Sequence, residues 1–264
     1  MLLDFELICH HFPKNDDITI IPVADVHLGA AQQMEEQFMD FLKMVKDTPN
    51  VYLVLAGDLL NNGIKQSVSS IYKERYMPSV AKHMMMELLE PVKDRILCGV
   101  CGNHERRTVK EVDDDPMYDI MFALGKSNLY RENVAFVKIQ VGCKDKDKRN
   151  GLENPTYTIV VTHGAGGGLM TGASVNRAER FGYVLDGADA LILGHCHKPF
   201  TTQPGKIYID TRNNRVSIKQ FKVVCATSWL EYGSYAAAQM LLPSTHCLNK
   251  ITLCGNHKEM IVTM

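Results

Sequence analysis

Long apolar runs are missing from this chain: no stretch approaches the roughly 20 consecutive apolar residues that a membrane-spanning helix needs. The N-terminal MLLDFELICHHF carries acidic residues early and has no apolar core, which argues against a secretory leader. No membrane association is expected, and the cytoplasm is the expected location. An excess of charge of either sign is missing too. Lysine and arginine number 29 against 30 aspartates and glutamates, a net charge of -1, so binding of a polyanion requires a local patch. Cysteine is sparse, 8 in 264 residues, which excludes a disulfide framework and fits a reducing compartment. No linker marks a domain boundary and no heptad repeat occurs, so the sequence names neither an oligomeric state nor a protein partner.

What is present is the composition of an ordinary globular protein, 45% hydrophobic and 22% charged, long enough to bury a substantial core. Apolar β-rich runs alternate with helical patterns. ITIIPVAD (18–25), VYLVLAGD (51–58), RILCGVCGN (95–103), YTIVVTH (157–163) and ADALILGH (188–195) read as buried strands, each ending in a polar group. Met34, Phe38, Phe41, Leu42 and Val45 recur at helical spacing, and further helices are expected over 70–92, 116–125 and 174–186. From 206 onward Ile207, Tyr208 and Ile209, then VSIKQFKVV, ITLC and EMIVTM, read as strands able to pair antiparallel.

The reading is one α/β domain over 1–264, a sandwich of two sheets covered by helices, with a motif-bearing part at 18–200 and a strand-rich part at 206–264 completing the second sheet. Pro22 lies within the first strand and cannot donate to a ladder, which predicts a bulge or an unpaired position. The charged KDKDKRNG (144–151) reads as a solvated turn.

The strand ends carry the chemistry. They present Asp25 and His27, Asp58, Asn103 and His104, His163, then His195 and His197, and ligands of open α/β sheets bind beyond the carboxyl ends of the strands. Each alone has a plain structural reading: a helix cap, a turn, a satisfied histidine. Recurrence at five successive ends does not. Asp25 and His27 are two apart, as are His195 and His197, so an extended backbone would turn each pair toward one side. Carboxylate, imidazole and amide oxygen together suit manganese, iron or zinc, and seven such groups exceed the needs of one tetrahedral ion.

Two further patterns compete with this series. Cys98 and Cys101 form a C-x-x-C, but at strand spacing i and i+3 face opposite ways, so buried thiols are expected. CGNHE (101–105) is nearly repeated as CGNHKE (254–259). The first copy follows an apolar strand in the motif series, whereas the second lies between two short strand-like runs. It reads as a hairpin turn with His257 facing solvent.

In order, D-V-H-L-G (25–29), G-D (57–58), G-N-H-E (102–105), His163 and G-H-C-H (194–197) resemble the calcineurin-like metallophosphoesterases. The resemblance implies a four-layer α/β/β/α sandwich, two mixed sheets flanked by helices, with a dinuclear centre at one edge. Carried over motif by motif, Asp25, His27 and His197 would hold one divalent ion, and Asn103, His163 and His195 the other, with Asp58 bridging. Manganese is favoured, with iron or zinc as alternatives. Two cations roughly 3.5 to 4 Å apart activate a shared water for in-line attack and hold the phosphoryl oxygens. By the same resemblance His104 is not a ligand but the catalytic acid beside the leaving-group oxygen.

The second motif continues GDLLNNG, without the acidic and arginine residues found there in the protein Ser/Thr phosphatases of the superfamily. NNGIKQSVSSIYKERYMPSVAKHM, THGAGGG and SWLEYGSYA are similar to phosphoesterases encoded by phages and prophages, often grouped with DNA-repair exonucleases. For such a protein the host cytoplasm would be the location. The expected activity is hydrolysis of a phosphodiester, in DNA or another nucleotide substrate. A phosphomonoesterase or nucleotide pyrophosphohydrolase is the alternative, and a noncatalytic scaffold is a third reading against which the complete ligand set argues.

Arg106 and Arg107 are candidate substrate contacts. Lys65, Lys73 and Arg75 either meet backbone phosphates or form a solvated helix face. Trp229, Tyr232 and Tyr235 either stack bases or belong to a core. The glycines at 164, 166, 167 and 168 either admit a phosphate or permit a tight loop.

Overall fold

The computed structural model describes residues 5–65, 67, 71–142, 154–166, 168 and 170–264, with the side chains of Ser234 and Tyr235 excepted. The charged stretch at 144–151, Ser70, Gly167 and the Tyr235 side chain lie outside the described residues. In chain order the first strands are β1 (Leu7–Phe12), β2 (Ile18–Val23), β3 (Val51–Leu55), β4 (Ile96–Val100) and β5 (Tyr130–Arg131). Then come β6 (Val134–Val141), β7 (Thr156–Thr162), β8 (Ala190–Leu193), β9 (Phe200–Thr202) and β10 (Gly205–Asp210). The last are β11 (Arg215–Gln220), β12 (Lys222–Cys225), β13 (Lys250–Leu253) and β14 (Met260–Thr263). The helices are α1 (Glu35–Asp47), α2 (Pro78–Leu89), α3 (Arg106–Val112), α4 (Pro116–Ala123), α5 (Thr171–Val184) and α6 (Ser234–Ala238).

The five apolar runs read from sequence are β2, β3, β4, β7 and β8. α1 buries Phe38, Phe41, Leu42 and Val45, as their spacing requires. α4 starts where Asp115 accepts from the backbone N–H groups of Met117 and Tyr118, with Pro116 in the first turn, so its free donors are capped. Among the described residues no helix is long and apolar enough to cross a membrane.

Two six-stranded sheets result, in the orders β1-β6-β7-β8-β12-β9 and β14-β13-β2-β3-β4-β5. β2, β3, β4 and β5 run parallel, and β13 adds antiparallel to β2. The strands after 206 do not all go to one sheet. β12 enters the first, parallel to β8, while β13 and β14 extend the second and β10 pairs with β11 alone.

The layers follow from what is buried where. Ile20, Val54, Val137, Ile159, Ile192 and Val224 pack together between the sheets. Phe38, Val45, Met85 and Ile120 cover the outer face of the second sheet from α1, α2 and α4. Ala178 of α5 and Phe221 cover the first. This is a four-layer sandwich of helices, two mixed sheets and helices.

Pro22 is neither a bulge nor an unpaired position: it stays in register opposite Val54 of β3. The N–H groups of Thr19 and Asp25 point toward the β3 side, so alternation turns the Pro22 nitrogen the other way. Pairing with β13 ends at Ile20, and no ladder partner is lost. The irregularity falls instead between Leu53 and Val54 in the β3–β4 register.

Candidate metal centre

Beyond β2 and β3 the two chains stay linked: Asp25 N–H donates to Gly57 O (3.1 Å), His27 N–H to Asp58 O (3.0 Å) and Leu28 N–H to Leu59 O (2.9 Å). The expected extended backbone is not what aims the side chains. Asp25 (φ 51°), His27 (φ 49°), Asp58 (φ 52°), His195 (φ 70°) and His197 (φ 56°) are all left-handed. Each such non-glycine conformation costs about 1–3 kcal/mol and persists only where its surroundings enforce it. Here the cross-links between neighbouring strand ends enforce it.

The seven residues predicted from sequence converge. On one side His197 Nε2 lies 3.3 Å from Asp25 Oδ1 and 3.2 Å from His27 Nε2. On the other, Asn103 Oδ1 lies 2.9 Å from His163 Nε2 and 2.7 Å from His195 Nδ1. Asp58 Oδ2 faces both, 3.9 Å from His27 Nε2 and 3.3 Å from His163 Nε2. Asp25, His27 and His197 form one cluster able to hold a metal ion and Asp58, His163 and His195 another; His27, Asp58 and His104 lie within the same reach, as do Cys254, His257 and Glu259 around the β13–β14 turn.

Second contacts leave the right atoms free. His163 Nδ1 bonds to Ala56 O (2.8 Å), which turns its Nε2 inward, the usual way a ligand imidazole is oriented. His195 N–H donates to Asp25 Oδ2 (2.8 Å), so Oδ1 is the oxygen left to the cluster. Asp25 Oδ1 and His27 Nδ1 are buried with no hydrogen-bond partner among the described residues. An orphaned buried carboxylate oxygen among imidazoles is costly unless a cation meets it. The donor set therefore fits divalent ions.

The electrostatics agree. Burial opposes charge on Asp58, but the imidazoles of His163 and His104 outweigh it and hold the carboxyl well below its usual range. Burial likewise opposes charge on His163, yet the Asp58 carboxylate lifts it to about 9. His197 is raised against burial by Asp25. Burial and the neighbouring His104 push His27 well below 6.5.

His104 stands next to this cluster, its Nε2 3.8 Å from Asp58 Oδ2 and its N–H donating to Asp58 Oδ1 (2.8 Å). Its Nδ1 bonds to Asn61 O (2.8 Å) and its Nε2 lies 2.9 Å from Arg107 Nη2. With a guanidinium donating to Nε2, the ring is neutral and carries its hydrogen on Nδ1. Burial, with Arg107 adding to it, lowers its pKa. The two candidate arginines part company. Arg107 bonds Asn61 O, Ser67 Oγ and His104, whereas Arg106 reaches away to Glu132 O (3.0 Å).

Glu105 had no assigned role in the sequence reading, though it closes the G-N-H-E motif. It is fully buried, and its carboxylate accepts from the backbone N–H groups of Asp58 (3.0 Å), Gly102 (3.0 Å) and Leu60 (2.9 Å). Burial and the nearby Asp58 push its pKa up to about 7. It ties the loop after β3 to the loop after β4. Gly57 and Gly102 allow that approach, since a Cβ on Gly57 (φ 85°) would lie 2.6 Å from the Gly102 backbone. Asn62 is a second residue without a sequence assignment; its Nδ2 donates to His104 O (2.9 Å).

The remaining candidates fall elsewhere. Trp229 is buried against Phe38, Phe41 and His246 and has no face for a base, while Tyr232 is exposed. Arg75 bonds Ala31 O and Gln33 O, and Lys65 and Lys73 lie on the exposed surface. Cys98 faces the inter-sheet core and Cys101 the helix side. Burial pushes the Cys98 thiol up to about 12 and Cys101 higher still, which makes both inert. CGNHKE is the turn joining β13 to β14, with His257 exposed and paired to Glu259 (2.8 Å). Two cavities border the cluster, one of about 300 Å³ lined in part by His195 and one of about 240 Å³ lined in part by His197.

Comparison with curated proteins gives no match. Among solved structures, the Haemophilus influenzae NAD nucleotidase is similar at 10% identity and a TM-score of 0.35. The match covers 95% of this chain, which spans half the length of that one, 50%. The family model of the calcineurin-like phosphoesterases matches residues 18–199, the stretch that contains all seven converging side chains. The chain therefore belongs to the calcineurin-like phosphoesterase family.

Proposed function

We propose that the protein is a metal-dependent phosphoester hydrolase that cleaves phosphodiesters, in DNA or another nucleotide substrate, using two divalent ions, with manganese favoured. Asp25, His27 and His197 would hold one, Asn103, His163 and His195 the other, with Asp58 within reach of both sets. When bound, the ions supply an activated water and positive charge for displacement at phosphorus.

The protein's own groups do the rest. Glu105 and the Gly57–Gly102 contact fix Asp58 between the two imidazole sets. Asn61 O holds the His104 ring by its Nδ1. On substrate binding Arg107 exchanges the imidazole for a phosphoryl oxygen as its acceptor. Freed of the guanidinium, His104 Nε2 takes up a proton from water while its Nδ1–H stays on Asn61 O, and passes that proton to the leaving oxygen.

The observation that carries the diester reading is the pair of cavities, one against each histidine of the G-H-C-H motif. A phosphodiester has a substituent on either side of phosphorus, and a cavity borders one histidine of each ligand set. A phosphomonoester needs only one such space. The test compares manganese-stimulated hydrolysis of a phosphodiester dye, a phosphomonoester dye and labelled DNA by the purified protein. Diester and DNA cleavage is expected; activity confined to the monoester overturns the proposal.

A further inference from the structure

We propose that the cavity beside His195 is a nucleobase pocket, receiving the base of the nucleotide on one side of the scissile phosphate. This deepens the diesterase reading and rests on it. The cavity measures about 300 Å³, at the small end of ligand pockets and on the scale of one ring system with its solvent margin. Leu191 and Leu193 of β8 line it from the sheet, and Ala178 and Phe181 of α5 from the helix. Those four present an almost wholly apolar slot, the surface that the flat faces of a base seek when they leave water. His195 borders the same space, so a group lodged there adjoins the cluster.

Two features point to a nucleotide and not merely an apolar group. Arg177 lines the cavity, and its Nη1 is held by Ala165 O (2.5 Å). The guanidinium passes directly over Gly166, where a Cβ would come 1.9 Å from Nη1. A planar cation at the edge of an apolar slot matches a ring carrying carbonyl groups beside an anionic phosphate. The cavity beside His197 is mixed: Glu231, Tyr232, Ser244, Thr245 and His246 line it together with Met34 and Leu230, so it offers the hydroxyls of a sugar the polar partners that the apolar slot lacks. The two arms of the substrate are thus received by unlike surfaces, and the base belongs on the His195 side. Ala178 sets the depth of the slot, because a larger side chain at that helix position points into it.

The test compares thymidylyl-(3′→5′)-thymidine with the phosphodiester of two base-free tetrahydrofuran sugars, using wild type, Ala178→Phe and Phe181→Ala with manganese. The wild type is expected to favour the base-bearing diester about 10-fold or more in kcat/KM, with the difference lying mainly in KM. Both variants are expected to bring the ratio of the two kcat/KM values toward one. Equal wild-type values for the two diesters overturn the proposal, as does a loss in both variants that leaves the ratio intact, since that is the signature of a structural defect. Should the protein cleave no diester, thymidine 5′-phosphate and its base-free analogue carry the same comparison. A preference there sinks only the diester reading, and equal rates sink the pocket.

Discussion

Three backbone N–H groups, from Asp58, Leu60 and Gly102, converge on the buried carboxylate of Glu105. Glu105→Gln turns an amide N–H₂ toward at least one of them, leaving donors face to face. A buried group deprived of its partner costs about 1–3 kcal/mol, so urea melts of Glu105→Gln should show a loss of that order; an unchanged midpoint contradicts the role. His104 makes a different prediction. In its proposed role as a proton donor outside the ligand set it would serve turnover alone, and His104→Ala should lower kcat about 10²- to 10⁴-fold while the manganese content stays that of wild type. Equal losses of kcat and metal would make His104 a structural support of the cluster. Much of this scale was legible in the sequence, because Asp25, Asp58, Asn103, His163 and His195 follow the apolar runs they terminate. The split between Arg106 and Arg107 was not. Adjacent residues at the start of α3 diverge by the helical rotation, and only the fold sets the phase.

At the scale of elements, β1 is anchored by a side chain that crosses between sheets: His10 Nε2 bonds to Leu97 O of β4 (2.8 Å). Burial lowers the pKa of His10 below 6.5. The folded chain then binds fewer protons than the unfolded chain between those two values. The contribution of His10 to stability is complete above pH 6.5 and is lost as pH falls toward the folded value. His10→Gln keeps a donor without a titration, so its unfolding midpoint should drop less between pH 7.5 and 5.5 than the wild-type midpoint does. Identical pH dependence contradicts this. β1 itself went unread because LICHHF mixes apolar and polar residues, and β6 because Val134 and Phe136 make its outer face apolar too. The left-handed turns at Asp25, His27, Asp58, His195 and His197 were also hidden. Sequence spacing gave the right convergence for the wrong reason, since these turns, and not an extended backbone, aim the side chains.

For the molecule as a whole, five strained ligand positions and an orphaned carboxylate oxygen lie at the edge of an otherwise well-packed sandwich. Ions that bind only the folded chain stabilise it by mass action, about 2.7 kcal/mol at a concentration 100 times the dissociation constant. Thermal melts should therefore move upward with manganese and downward after chelation, and an unresponsive midpoint would leave the strain unexplained. The α/β class was readable from alternating strands and helices up to residue 200, while the four layers came from the motif resemblance. The division of the tail among β10–β11, β12 and β13–β14 was not, because short strands carry no mark of the sheet they join.

The most direct measurement is anomalous diffraction from a crystal grown with ample manganese. Two peaks are predicted, one bounded by Asp25, His27 and His197, the other by Asn103, His163 and His195, both in contact with Asp58. A single peak, none, or density only at Cys254, His257 and Glu259 would contradict the account.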